Sequence, residues 1–390
     1  MAAAYILSPW CPQQFTDGNS DPVANGTAFF YAPGTTTGQQ TFSDTSGTLN
    51  ANPGVPLNSQ GRPTSGAIYL DSSLGYKLVL KDSLGVTIST YDPLYTAPTN
   101  SDNSICQGRL TLTSGTPFPT ADVSGATTAY WTPCYGNLMT FYNGTIWTPP
   151  QSFSEIPISL VGLTASRPVD VFGYNNGGTV AIELLAWAST SARATATVLQ
   201  NGVLVKSGDS TRRWLGSIHI NSSGGQTDNT FTKRYIDNEY NQRPRVLRRL
   251  ETNATWTYTT ATVRQAGGSP ANQVEVMVGQ PGRRLALGLQ VGSRNTNADI
   301  LRSVGIGEDS TTTFMAQDLN TGIHDGGGTI AIGALINHVV RLTHYPAVGL
   351  HVYSWNEISA ATGTTTWIGQ TAPTSGTNAS QAGLSGEIDG

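Results

Sequence analysis

Gly208-Asp209-Ser210 has the residue order of the nucleophile block of one class of serine esterases, in which the base is a histidine three residues after an aspartate. None of His219, His324, His338, His344 and His351 has Asp at that offset, and no Gly-x-Ser-x-Gly elbow occurs. The triplet therefore reads as a loop after Val205. Asp17, Asn19 and Asp21 repeat the one-three-five oxygen spacing of a calcium loop, but the twelfth position is Ala28 where a bidentate glutamate is required, so a turn is expected. Glu308-Asp309 supplies two carboxylates, the apparatus of glycoside hydrolysis when suitably spaced; as sequence neighbours they read as a solvated turn. The run 325–329, Asp-Gly-Gly-Gly-Thr, lacks the Lys-Ser/Thr of a phosphate cradle and reads as a hairpin tip. The five histidines never pair at metal-ligand spacing. No catalytic residue, metal ligand or cofactor is assigned, and enzymatic turnover is not expected.

Chemistry of another kind is concentrated at Arg243, Arg245, Arg248 and Arg249. The chain has 17 arginines against 4 lysines, and 13 of the arginines lie at or beyond Arg212. A guanidinium is a rigid, weakly hydrated fork that suits packed contacts better than an ammonium does. These four are expected to be pinned between elements or between subunits, which makes them candidate subunit-interface residues. The aromatics Trp131, Tyr135, Tyr142, Trp147, Trp355 and Trp367 could stack on sugar rings while Thr and Asn supply hydrogen bonds. Trp355 and Trp367 are the candidate glycan contacts.

Composition constrains the elements that must position these groups. Only 12% of residues are charged, against about 25% in an average soluble domain. Thr, Ser, Asn, Gln and 44 glycines supply the missing polarity. Many β-branched residues and turn formers favour short strands joined by tight turns, so the chain is expected to be all-β. A net charge of -4 provides no positive field for nucleic acid. No run of about 18 apolar residues is present, which argues against membrane insertion. The first residues lack a basic region and reach a proline after a very short apolar run, so synthesis in a cytoplasm is expected. Cys11, Cys106 and Cys134 form no C-x-x-C pair and read as buried free thiols.

Three segments follow. Residues 1–98 alternate apolar and polar at 66–70 and 76–80, with a hairpin turn at 83–85, and read as a small adaptor-like β-domain. Residues 99–150 form a short, aromatic-rich β segment too thin to fold alone, which suggests that identical copies pack together around it. Residues 151–390 carry hairpin turns at 175–178 and at Asn201-Gly202, with strands expected over 214–220, 256–263, 273–278, 285–291, 329–332 and 349–355. That pattern suggests a jelly-roll-like β-sandwich. One short helix is expected over 230–241, where Phe231, Tyr235, Ile236 and Tyr240 share a helical face before Pro244.

The runs DPVANGTAFFYAPGTTTGQQTFSD, NPGVPLNSQGRPTSGAIYL and YKLVLKDSLGVTI resemble the head-binding adaptor domain of tailspikes and tail fibres of short-tailed bacteriophages. Asn25, Gly26, Tyr31, Gly34, Thr35, Gly61, Arg62, Tyr69, Asp82 and Gly85 carry the match; it implies virion docking through residues including Asn25, Tyr31, Arg62 and Tyr69. Residues 108–390, with RRWLGSIHI, YNQRPRVLRRLETNATWTYTTATVRQA and GLHVYSWNEISAATGTTTW, resemble a family of phage virion proteins found behind varied N-termini. The resemblances imply a homotrimeric tail fibre or spike subunit that docks on other tail or portal-proximal proteins and contacts host polysaccharide or lipopolysaccharide. The alternative they allow is a purely structural adaptor, collar or head-fibre component.

Overall fold

The computed structural model describes residues 5–7, 13–72, 74–95, 102–298, 300–315, 321–323, 330–371 and 380–390. The protein is all-β: among the described residues the one helical element is a 3-10 turn at Ala266–Gly268. The chain divides into two compact units. One comprises residues 1–102 with 146–149 and 177–179; the other comprises 103–145, 150–176 and 180–390.

In the first unit, strands Gly54–Pro56, Thr27–Tyr31, Tyr76–Lys81 and Thr87–Tyr95 form an antiparallel sheet in that order. Period-two alternation puts Ala28, Phe30, Tyr76, Leu78 and Leu80 on one buried face, where they join Ile68 and Leu70. The Tyr76 hydroxyl is satisfied inside that core, donating to Gln40 O at 2.8 Å and accepting from Asp71 N at 3.0 Å. The expected hairpin at 83–85 is present: Asp82 Oδ1 accepts from the amides of Leu84 (2.9 Å) and Val86 (2.8 Å), and Gly85 takes φ +82°. Asn25 also has positive φ (+54°), and a Cβ on Gly26 would lie 2.4 Å from Lys81 O, so the Asn-Gly order is a steric requirement.

The second unit contains two sandwiches. In one, strands Gly108–Thr111, Thr128–Pro133 and Ile156–Ser159 share a core with the sheet of Arg167–Asn176, Asp209–Ile220 and Val203–Lys206. Trp131, Leu110 and Ile158 meet Val169, Val171, Leu215 and Ile218 there. The aromatic-rich segment before residue 150 thus receives its missing core from later strands of the same chain, so its thinness no longer argues for packing between copies. In the other sandwich, Gln273–Val278, Gly349–Ser359 and Arg302–Glu308 face Leu285–Asn295, Gly383–Ile388, Ile336–His344 and Thr365–Ile368 across a core that includes Trp355, Trp367, Leu289 and Val340.

Two buried acids bind the second unit internally. Asp170 accepts from Trp214 Nε1 (2.9 Å), Ser217 Oγ (2.6 Å) and Arg193 Nε (2.7 Å). Asp237 accepts from Gly279 N (3.0 Å) and from Arg283. Arg193 also lies over the rings of Trp187 and Trp214.

The helix expected over 230–241 is absent. Strands Thr227–Asn229, Lys233–Arg234 and Ile236–Asn238 replace it, with Thr230 and Lys233 closing a tight turn by reciprocal backbone bonds. Asn and Asp compete with helical hydrogen bonds. Here Asn238 Oδ1 takes Leu110 N at 2.7 Å and Asp237 takes Arg283, interactions that fix this stretch as extended chain. The strand expected over 256–263 is limited to Thr255–Tyr258, and residues 330–332 are not strand; Thr329 lies outside the described residues, as do 325–328. Cys106 and Cys134 are buried free thiols, burial pushing the Cys106 thiol up to about 12; Cys11 lies outside the described residues.

Candidate functional site

Four arginines from three stretches of chain converge on one cleft of about 380 Å³ in the second unit. Arg109 comes from the strand Gly108–Thr111 and Arg234 from the short strand Lys233–Arg234. Arg243 precedes Pro244, and Arg245 begins the strand Arg245–Leu250. Pro117, Phe118 and Pro119 form an apolar wall, and Phe231, on the turn before Lys233, also lines the cleft.

Each guanidinium is held against an aromatic face, an oxygen, or both. Arg243 lies 4.4 Å and Arg109 5.1 Å from the Phe118 ring centroid, and Arg234 lies 5.4 Å from that of Phe231. Arg109 Nη2 donates to the Gly390 oxygen at 2.9 Å, and its Nη1 donates to Asn241 O. Arg234 donates through Nε (2.9 Å) and Nη2 (2.7 Å) to Val246 O, and through Nη1 to Asn229 Oδ1 at 3.1 Å. Arg245 donates to Ile236 O and, at 3.2 Å, to Asp389 O; Arg243 donates to the Tyr135 hydroxyl. Arg245 Nε is buried and has no hydrogen-bond partner among the described residues.

The electrostatics follow from that set of partners. Burial lowers Arg245 to about 9 and Arg109 to about 10, and it also lowers Arg234. Asp237 lies 3.9 Å from Arg245 but forms its close pair with Arg283. Asp122 is at the rim, where its Oδ1 accepts from Phe231 N at 3.0 Å. The cleft therefore presents more guanidinium charge than carboxylate, on an apolar wall of Phe and Pro. Such a site can bind an oxyanion with two-point hydrogen bonds.

No family model matches the chain, and no curated protein matches it. Among solved structures, a tryptic core variant of the Cry1Da toxin of Bacillus thuringiensis is 9% identical, with 68% of this chain and 48% of that chain covered and a TM-score of 0.18. A structure of infectious bursal disease virus, Gt strain, is 10% identical over 93% of this chain and 69% of that chain, with a TM-score of 0.18. The Cry4Aa toxin of Bacillus thuringiensis is 7% identical over 69% and 51%, with a TM-score of 0.15. The chain spans about half the length of the toxin chains it matches. Superpositions this loose carry no argument about this chain.

Of the four arginines singled out in sequence, Arg243 and Arg245 line the cleft. Arg248 is exposed and lies 4.3 Å from the Phe231 centroid, while Arg249 borders a second depression with Pro270 and Glu275. Trp355 and Trp367 are corrections: both are 0% exposed within the sandwich core, so neither ring can meet a glycan without opening that core. Trp131 and Trp147 are likewise buried, whereas Tyr135 is exposed. In the first unit Asn25 and Arg62 are exposed, Tyr31 is stacked on Phe29 with the rings 3° from parallel, and Tyr69 pairs through its backbone with Phe42.

Asp309 sits at an exposed bend with φ +50°, as a solvated turn would, whereas Glu308 is the half-buried end of the strand Arg302–Glu308. Glu308 Oε1 accepts from the Tyr353 hydroxyl at 2.7 Å and lies 3.2 Å from His344 Nε2; Asp309 Oδ2 lies 2.9 Å from His351 Nδ1. Asp17 does form the expected turn, its Oδ1 accepting from Asn19 N and Asp21 N. Sequence reasoning missed Arg109, Phe118 and Arg234, which join the cleft only through long-range pairing; the Pro-Phe-Pro run is the local signal that an aromatic ring is held rigidly there.

Proposed function

We propose that this chain is a virion component of a short-tailed bacteriophage, a tail fibre or spike subunit that docks through its first unit and contacts host surface polysaccharide or lipopolysaccharide through its second. It acts by binding, as a homotrimer, so that three copies present the same modest site together. The supporting observation is the division of labour in the chain. The residues that resemble a head-binding adaptor form a separately cored β unit, and the open arginine-lined cleft belongs to the other unit.

An antibody against the second unit should label the tail of intact particles, and the purified chain should be retained on host envelopes and compete with particle adsorption. Labelling of no virion structure would reject the reading.

One observation favours a purely structural role in a collar, adaptor or head fibre. The strand Arg245–Leu250 is an edge of its sheet and leaves Val246 and Leu250 exposed beside Arg248, a combination suited to a neighbouring subunit. Tail or head labelling without any retention on host envelopes would select that role.

A further inference from the structure

The arginine cleft is built more like a ligand site than like a packing seam. Arg245 lines the cleft although it is only 8% exposed; its Nη1 and Nη2 are committed to Ile236 O and Asp389 O, so its guanidinium acts there as a fixed positive charge. Charge held in a part-buried site attracts an oxyanion more strongly than the same charge in open water. Arg243 is exposed, and its contacts with the Tyr135 hydroxyl and the Phe118 face hold its guanidinium at the mouth of the cleft. Between them, Phe118 and the neighbouring prolines offer apolar surface suited to the carbon face of a sugar ring. A cleft about 380 Å³ in volume lies within the size range of small-molecule sites and is too small for a folded partner.

We propose that this cleft binds an acidic saccharide, its carboxylate or phosphate oxygens held by Arg243 in the field of Arg109 and Arg245 and its ring against Phe118. This rests on the binding role proposed above for the second unit and names the class of its ligand. Both oxyanions match the guanidinium fork, so the two sources are separated by experiment.

The full-length chain is titrated by calorimetry with a glucuronate-containing tetrasaccharide, glucose 6-phosphate, inorganic phosphate and neutral cellobiose. Binding of one acidic sugar at least about tenfold tighter than cellobiose is expected, weakening as salt rises. Preference for the tetrasaccharide assigns a carboxylate, and preference for glucose 6-phosphate assigns a sugar phosphate. Inorganic phosphate binding as tightly as either sugar would overturn the saccharide assignment. Arg243→Ala should weaken the preferred probe about tenfold and Arg243→Lys less, because an ammonium keeps the charge but loses the fork. Phe118→Leu keeps apolar volume and should weaken the sugar without abolishing attraction for phosphate.

No binding of any acidic probe, equal binding of cellobiose, or unchanged affinity in folded Arg243→Ala protein would each overturn the proposal. So would an Arg243→Ala chain that loses its oligomeric state while the wild type ignores every sugar, which would give the cleft to an acidic segment of another copy. The outcome is independent of the virion reading. Acidic-sugar binding by a chain found on no particle would sink that reading and leave the cleft's ligand class standing; host retention without sugar binding would do the reverse.

Discussion

Arg283 and Asp237 form a two-point ion pair at the centre of the second unit: Nε to Oδ1 is 2.9 Å, Nη2 to Oδ2 is 3.2 Å, and the side chains are 7% and 0% exposed. Arg283 Nη2 also donates to Asn238 O at 2.9 Å, and Gly279 N supplies Asp237 with a further donor. The pair joins the strand Ile236–Asn238 to the connection that leads into Leu285–Asn295, so its geometry fixes how these two stretches meet. Arg283→Met leaves a buried carboxylate without its cation and should cost about 3–5 kcal/mol. Adding Asp237→Leu should recover part of the loss but not all, because Gly279 N is then unsatisfied. Denaturant unfolding of the wild type and the two variants measures this, and a single substitution no worse than the double would contradict it.

Gly108 and Trp131 are a second coupled pair. A Cβ on Gly108 would lie 2.2 Å from the Trp131 indole, which is 0% exposed in the core beneath it. The backbone of Gly108 is not in the left-handed region, so the glycine is there for space alone. Gly108→Ala should destabilise the unit by about 1–3 kcal/mol through overpacking. In the background of Trp131→Phe the same alanine should cost clearly less, since the smaller ring withdraws from the clash. Additive effects in a double-mutant cycle would show that the two residues do not compete for one volume.

What the sequence made legible, and what it hid, follows the range of the interactions involved. The Asn201-Gly202 turn takes φ +51° and +86°, as the dipeptide requires, and Gln273–Val278 is a strand over the expected residues, alternating through Val276 before Met277 and Val278 are buried together. The strand Ile336–His344 escaped notice because its buried face is Ile336, His338, Val340 and Leu342, in which a histidine interrupts the apolar pattern. His338 is tolerated there through Ser293 Oγ, 2.7 Å from its Nε2, a partner that sequence spacing does not disclose. The false helix at 230–241 arose because four apolar residues matched a period of 3.6, while the Asn and Asp residues between them were committed to distant partners. The tryptophans failed for the same reason in reverse: an aromatic that could stack on a sugar can as well fill a core, and only tertiary packing decides. Two of the four cleft arginines were visible as a cluster; Arg109 and Arg234 were not, since pairing across the fold brings them in.

The His351–Asp309 contact predicts a pH dependence. Burial disfavours charged His351, but the hydrogen bond and charge of Asp309, the Ala347 carbonyl and the nearby Glu308 outweigh it, so its pKa is raised. Burial likewise opposes ionised Asp309, and His351 with the amide of Val352 outweighs it, so that pKa is lowered. His344 and Tyr353 complete the set of titratable groups around the pair. A raised histidine pKa contributes stability that is present below its unfolded value, about 6.5, and lost as pH rises through the folded value. A lowered aspartate pKa contributes stability above about 3.9, lost as pH falls through the folded value. The pair therefore stabilises most between about pH 4 and 6.5. His351→Gln should flatten the fall in unfolding midpoint on raising the pH from about 6 to 8; a fall as steep as in the wild type would assign the dependence to another group.

Arg248 and Arg249 test the proposed contact between copies of the chain. They occupy the edge strand Arg245–Leu250, alongside exposed Val246 and Leu250, and Arg248 covers Phe231 at 4.3 Å. A guanidinium stacked at an exposed site contributes only about 0.5–1 kcal/mol, so removing both should change the stability of an isolated chain little. In a symmetric trimer the same loss is repeated in every copy, at surfaces that select Arg over Lys. Arg248→Ala combined with Arg249→Ala should therefore shift sedimentation toward smaller species while leaving retention on host envelopes, per chain, less affected. Oligomers that remain intact at unchanged heat stability would remove this strand from the interface and place assembly elsewhere in the chain.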